Sequence, residues 1–133
     1  MKNRIQLFFL FVLLIASDQL LKLLFSEKSV CNKNLAWGIP IAPGVFYFFW
    51  LIIFFLLIYH FLKSENIFNK IALTFILSGA VSNLADRIIH GCVIDFIDLK
   101  FWPVFNLADI YITMGISLLV VIYIKYKIPD TKY

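Results

Sequence analysis

Charged residues are scarce in this sequence. Asp, Glu, Lys and Arg make up 15% of its 133 residues, whereas hydrophobic residues make up 62% and the mean hydropathy is +0.92. A soluble domain of this length needs more charge on its surface, so the composition indicates a membrane protein. The net charge of +4 is scattered rather than gathered in a basic block, which argues against nucleic acid as a partner.

Breaks in the apolar sequence are also few, since the chain has five glycines and four prolines. The first apolar run continues to Phe25, well beyond the roughly 7–15 residues of a cleavable signal peptide, and is interpreted as a span. Pro103 precedes the last run, a favoured place for proline at a helix start. We expect an all-α membrane protein whose residues 1–133 form one domain with four transmembrane helices, about 5–25, 45–62, 71–89 and 104–124.

Lysine and arginine are divided unequally between the two ends of these spans. The richer end would hold Lys2, Arg4, Lys63, Lys70, Lys125, Lys127 and Lys132. The other end would hold Lys28, Lys33 and Lys100, with Lys22 and Arg87 close to helix ends. Because positive residues concentrate on the cytoplasmic side, both termini are expected inside and the loops 26–44 and 90–103 outside.

Acidic residues gather toward the predicted outer face. Asp95 falls in the last outer loop, and Asp109 lies about two turns into the fourth predicted span. An ionisable group placed in or against hydrocarbon costs several kcal/mol, roughly, so such groups are kept mainly for chemistry or ion transport. Two aspartates on one side of the membrane suggest acid–base catalysis by a pair of carboxylates.

Other polar residues near the same face fall at helical spacing. Asn83, Asp86 and Arg87 share one face of the third span, and Asp18 and Lys22 form an i, i+4 pair in the first. Asp18, Lys22 and Asp86 are expected to form a structural polar network. Asp98 is expected to be a solvated loop charge rather than a member of the catalytic pair.

Residues that bind metals are few. His60 and His90 fall at opposite ends of the membrane, and no H-E-x-x-H or closely spaced cysteine pair occurs. No metal site is therefore expected. Cys31 and Cys92 both fall in outer loops, where an oxidising compartment would permit a disulfide, although the sequence alone does not set the distance between them.

Two other classes of function remain open at this point. In a proton- or cation-coupled transporter subunit, Asp18, Asp86 and Asp109 would bind or relay the ion. The inner halves of the spans lack the polar residues that would complete such a path. In a non-catalytic scaffold, the polar residues that recur at helical period along the fourth span, Asn106, Asp109, Thr113 and Ser117, would form an assembly surface.

Five segments resemble the lipoprotein signal peptidase family, the aspartic signal peptidase II type, and they occur in the family's order. They are residues 18–22 (D-Q-x-x-K), 32–38 (N-K-N-L-A-W-G), 79–87 (G-A-V-S-N-L-A-D-R), 91–96 (G-x-V-x-D-F) and 105–109 (F-N-x-A-D). Asn34, Ser78 and Ser82 stand where the family usually has glycine. None of these departures affects either aspartate of the pair.

The resemblance implies an endopeptidase that cleaves bacterial prolipoproteins before a lipid-modified cysteine, in the cytoplasmic (inner) membrane. It implies Asp95 and Asp109 as the catalytic pair, with the substrate or the pair positioned by Asn32, Asn83, Arg87 and Asn106. It implies diacylglyceryl-modified prolipoproteins and membrane lipids as partners, globomycin-type inhibitors, no cofactor, and a small extracytoplasmic β element built from residues 26–44.

The orientation can be tested by thiol labelling of intact cells from outside. Single cysteines introduced at Lys33 and Lys100 should react with a membrane-impermeant reagent, because the unequal charge places both loops outside. Cysteines introduced at Lys2, Lys63 and Lys132 should react only after the membrane is permeabilised. The reverse pattern would place the aspartate pair inside the cell and exclude a secreted precursor as substrate.

Overall fold

Four long helices form the protein, which is described here by a computed structural model of residues 2–34, 39–40 and 42–127. The helices are α1 (Lys2–Leu24), α2 (Pro43–Lys63), α3 (Ile67–His90) and α4 (Leu107–Lys127). Each is long and apolar enough to cross a membrane. The expected fold class is confirmed: a four-span helical membrane protein with a small two-stranded antiparallel sheet.

All four helices begin two to four residues away from the expected positions, and the causes are visible for the last two. α3 begins at Ile67, four residues before the apolar run, because the Asn66 side chain caps it by accepting a 2.8 Å hydrogen bond from the Phe68 N–H. α4 begins at Leu107, and the expected start near Pro103 is wrong. Asp109 therefore lies in the first turn of α4 rather than two turns inside it.

A reciprocal pair of hydrogen bonds fixes the start of α4. The Asn106 side chain accepts from the Asp109 N–H at 3.0 Å, and the Asp109 carboxylate accepts from the Asn106 N–H at 3.2 Å. This is a capping box, here with Asp instead of the usual Glu or Gln. The residues just before it are held in an extended arrangement, since Phe105 forms an isolated antiparallel bridge with Ile97.

The small sheet joins two distant parts of the chain. Strand β1 (Val30–Asn32) pairs antiparallel with β2 (Val93–Asp95), so that Val30 lies opposite Asp95. The expectation that residues 26–44 alone build this element is wrong, because half of it follows α3. Residues 35–38 of the motif that starts at Asn32 lie outside the described residues. A disulfide between Cys31 and Cys92 connects the two strand regions.

α3 is the central helix of the bundle. It packs against α1 and α4 and contributes many of the buried residues, whereas α2 has none. Two glycines allow α3 and α4 to approach closely. A Cβ added to Gly79 would collide with the main-chain oxygen of Ala108 and with Ile112, and one added to Gly115 would collide with Ala72 and Ile76. The first of these contacts lies one residue from Asp109.

Replacing Gly79 with alanine should separate α3 from α4 at the start of α4. Because the added methyl group meets main chain rather than a flexible side chain, we expect a loss of about 1–3 kcal/mol of stability. The measurement is the unfolding midpoint of the purified protein in detergent. Gly44→Ala is the matched control, since a Cβ there meets nothing within 4 Å. Equal midpoints for the two variants would contradict the packing described.

Candidate active site

Asn106 connects the two aspartates through its side chain. Its Nδ2 donates to Asp95 Oδ1 at 2.7 Å, while its Oδ1 accepts the Asp109 N–H of the capping box. The main-chain N–H of Asn106 donates to Asp109 Oδ2. Asn106 is fully buried, so these bonds are not exchanged for bonds to water. Asn106 therefore binds the carboxylate of Asp95 through its side chain and that of Asp109 through its main chain.

Asp95 lies at the end of β2 with 3% of its surface exposed. Its second carboxylate oxygen accepts a 3.1 Å hydrogen bond from Asn32 Nδ2, which β1 presents from across the sheet. Burial raises the pKa of Asp95 from its ordinary 3.8 to about 6, and the nearby charge of Asp109 raises it further, while the hydrogen bonds from Asn32 and Asn106 oppose the rise. Burial and the neighbouring carboxylate therefore favour the protonated form of Asp95.

Asp109 is held from the side of α3. Asn83 Nδ2 donates to Asp109 Oδ1 at 2.8 Å. Asn83 Oδ1 in turn accepts from Asn106 Nδ2 at 3.0 Å and from the Lys22 ammonium at 3.1 Å. Each polar atom of the Asn83 amide thus has a partner within the site, which fixes its orientation.

A buried cluster of charges lies next to the aspartate pair and is connected to it through Asn83. The Lys22 ammonium contacts Asp18 at 2.6 Å and Asp86 at 2.7 Å, and these three side chains are at most 4% exposed. Asp18 also accepts the main-chain N–H of Ala108 at 2.9 Å, and Asp86 accepts that of Ile94 at 3.1 Å. These are the residues immediately before Asp109 and Asp95, so the cluster positions the main chain at both aspartates.

A cavity of about 390 Å³ opens over the aspartates. Arg87 lies on its wall, where its Nη2 donates to the main-chain oxygen of Asn34 at 2.9 Å and its guanidinium lies 4.6 Å from the centre of the Phe46 ring. The polar lining consists of Asn32, Asn34, Asn83, Arg87, Asp95, Asp109 and Thr113, and the apolar lining of Val93, Trp102, Pro103, Val104, Phe105 and Ile112.

The structure brings together every residue that the sequence singled out for the site, and it adds others. Gln19 is a missed member: its Nε2 donates to Asp86 Oδ1 and to Ser82 Oγ, both at 2.9 Å. Ser82, which stands where the family usually has glycine, is another: it donates to Asp18 at 2.6 Å. Both residues could have been found from sequence, because Gln19 lies in the 18–22 motif and Ser82 lies in the 79–87 motif. Ser82 is also one helical turn before Asp86.

Asp98 lies apart from the pair. It accepts two hydrogen bonds from Lys100, one from its main-chain N–H and one from its ammonium, and these lower the pKa of Asp98. Asp98 is not part of the cavity lining. Within residues 2–34, 39–40 and 42–127, no three His, Cys, Asp or Glu side chains converge in a way that could hold a metal ion.

Comparison with known proteins gives one consistent family. The family model for signal peptidase II matches residues 10–125. Lipoprotein signal peptidases of Staphylococcus aureus strains JH9 and Newman are each 37% identical over 101 residues, which cover 71% of this chain and 62% of the relative. The match therefore spans less than two thirds of the length of these relatives.

Two solved structures have the same fold. Both are described as bacterial membrane enzymes obtained by the in meso method, one at 2.3 Å and one at 1.9 Å resolution. The first has a TM-score of 0.85 at 27% identity and covers 96% of this chain and 93% of its own. The second has a TM-score of 0.79 at 27% identity and covers 90% and 93%.

The buried charge cluster can be tested by replacing Lys22 with methionine. Methionine fills similar volume but leaves Asp18 and Asp86 buried without their cation, a change that costs about 3–5 kcal/mol. The unfolding midpoint in detergent should fall sharply, or the protein should fail to accumulate. Lys100→Met is the matched control, because its ion pair with Asp98 is exposed and should matter little. Equal small effects would show that the cluster does not stabilise the fold.

Proposed function

The chain belongs to the signal peptidase II family, and we propose that it is an aspartic endopeptidase that removes the signal peptide from bacterial prolipoproteins before the lipid-modified cysteine. The observation that carries this proposal is the Asn106 side chain, which holds Asp95 beside Asp109 at the edge of a cavity. Asp95 and Asp109 are the proposed catalytic residues. The whole chain acts as one membrane-embedded peptidase domain.

The reaction uses one ionised and one protonated aspartate. Two adjacent carboxylates resist losing both protons, and their titration belongs to the pair rather than to either residue. The ionised carboxylate takes a proton from water as the water oxygen attacks the scissile carbonyl carbon. The protonated carboxyl group donates to the carbonyl oxygen, which gives a tetrahedral intermediate. As the C–N bond breaks, a proton passes to the leaving nitrogen of the cysteine residue.

The pKa of Asp95 near 6 suits this exchange, since a catalytic acid or base works best when its pKa lies close to the operating pH. Asn83, Asn106 and Asn32 hold the carboxylates, and they carry no charge that would neutralise them. Arg87 is available to the substrate at the cavity wall, where its remaining donors can bind a carbonyl or phosphate oxygen.

The substrate class follows from the surroundings of the cavity. Its apolar lining and the exposed apolar surfaces of the helices suit a substrate that carries diacylglyceryl chains in the surrounding lipid. Binding of those chains would supply energy away from the reacting carbonyl. Globomycin-type inhibitors are expected to occupy the same cavity. The substrate is a protein segment rather than an ion, and the family assignment leaves the transporter hypothesis without support.

The site is proposed to face outward from the bacterial cytoplasmic (inner) membrane. The distribution of lysine and arginine supports this orientation. The Cys31–Cys92 disulfide supports it independently, because disulfides persist outside the reducing cytoplasm.

Asp95→Asn and Asp109→Asn should each abolish cleavage while the protein still inserts and accumulates. An asparagine keeps the shape of the side chain but can neither take nor give the proton that the reaction requires. Cleavage of a diacylglyceryl-modified precursor by purified enzyme measures the effect. Asp98→Asn is the matched control and should retain activity, because Asp98 lies outside the cavity. An active Asp95→Asn enzyme would refute the assignment.

Arg87→Lys should lower kcat/KM by about tenfold or more, which corresponds to ~1.4 kcal/mol of transition-state stabilisation. Lysine keeps the charge but lacks the planar group that binds Asn34 and lies over the Phe46 ring while leaving further donors for substrate. Rates are compared at equal amounts of folded enzyme in detergent or bilayers. Unchanged kcat/KM would contradict a role in substrate binding and would indicate that Arg87 is only a charge at the membrane interface.

A further inference from the structure

The disulfide lies next to the proposed catalytic carboxylate. Cys31 immediately precedes Asn32, the donor to Asp95 Oδ2, and Cys92 lies three residues before Asp95 itself. The Cα atoms of the two cysteines are 5.4 Å apart, and 61 positions of sequence separate them. The bond therefore joins the segment that carries Asn32 to the segment that carries Asp95.

Among the described residues, β1 is held by its pairing with β2, by the bond from Asn32 to Asp95 and, two residues later, by the bond from Arg87 to Asn34. It contains three residues and, within the part of the chain that the structure describes, pairs with the three residues of β2; two-stranded sheets of this kind are marginally stable in water. Val30 and Cys31 are exposed, so burial of β1 itself stabilises the pairing weakly. Cys92, in contrast, is 1% exposed and lies directly after the end of α3. The disulfide thus attaches an exposed strand to a buried anchor.

We propose that the Cys31–Cys92 disulfide is a positioning element for peptide cleavage, because it holds Asn32 against Asp95. This inference rests on the proposed function. It assigns to the two cysteines a role in the reaction that acts through Asn32, in addition to any contribution to the stability of the fold.

Formation of the bond is a two-electron oxidation. Two thiols lose two protons and two electrons, which a thiol–disulfide oxidoreductase on the outer side of the membrane accepts. Reduction reverses the change. An external thiolate attacks the sulfur of Cys31, the more exposed residue of the pair, the Cys92 thiolate leaves, and a second thiol releases the reductant as its own disulfide.

Loss of the disulfide should have a specific kinetic signature. The Asn32 hydrogen bond favours the ionised form of Asp95, so its loss should move the acidic limb of the pH–rate profile to higher pH. It should lower kcat by about tenfold or more, the usual effect of losing a hydrogen bond to a charged group. A disulfide that only stabilises the fold would lower the unfolding midpoint without moving the pH profile.

The experiment is a double-mutant cycle with a diacylglyceryl-modified precursor as substrate. One change is Cys31→Ser together with Cys92→Ser, and the other is Asn32→Ala. If the disulfide acts through Asn32, each change should lower kcat and shift the acidic limb, and the combination should be no worse than Asn32→Ala alone. Independent, multiplying losses would overturn the proposal, as would full activity without the cysteines.

Reduction of the folded wild-type enzyme covers the case in which the cysteine variant fails to fold. Treatment with a phosphine reductant, with reduction verified by alkylation and mass spectrometry, should lower kcat reversibly, and reoxidation should restore it. The reductant should not affect the thioether of the lipidated substrate. Unchanged activity after verified reduction overturns the positioning role. Failure of the untreated, oxidised enzyme to cleave would instead refute the proposed function.

Discussion

The buried ammonium of Lys22 is the constraint around which the site is arranged. An ammonium that is 4% exposed requires nearby negative charge, and Asp18 and Asp86 supply it. Each carboxylate can accept further hydrogen bonds: Asp18 accepts the main-chain N–H of Ala108, and Asp86 accepts that of Ile94. Through these two carboxylates, the charge of Lys22 on α1 helps to fix the main chain of α4 and of β2. Each fixed residue immediately precedes a proposed catalytic aspartate. Among the described residues, no buried side-chain polar atom of the network or of the rest of the protein lacks a partner.

Asn106 shows why an amide is needed between the two carboxylates. Its oxygen accepts the Asp109 N–H as a helix cap, and its nitrogen donates to Asp95 and to Asn83. An aspartate at this position could cap the helix but would repel both carboxylates, and a serine would be too short to supply separate donor and acceptor atoms. The residue that starts α4 is therefore also the residue that sets the distance between the proposed acid and base.

Local sequence patterns predict the parts of this structure that local forces determine. Apolar run length was sufficient to find four spans, and the 105–109 motif was sufficient to place Asn106 beside Asp109. The start of α4 was missed because Pro103 is a favoured helix-start residue, while the bridge between Ile97 and Phe105 keeps the preceding chain extended. The pairing of β1 with β2 joins residues that are far apart in sequence, and no local pattern reports it. The sequence predicted that Lys22 belongs to a polar network with Asp18 and Asp86. It did not predict that the Lys22 side chain is buried, because that depends on how α1 packs against Asp86 of α3.

The four helices contribute unequally to the chemistry. α1, α3 and α4 supply the charge cluster and Asp109, whereas α2 has no buried residue and contributes Phe46 beneath the Arg87 guanidinium. The aspartates are consequently held by hydrogen bonds from Asn32, Asn83 and Asn106, while Arg87 is positioned in part by α2. The two parts of the proposed site therefore depend on different elements: the aspartates on polar contacts among β1, β2, α3 and the start of α4, and the proposed substrate-binding arginine in part on an aromatic ring of α2.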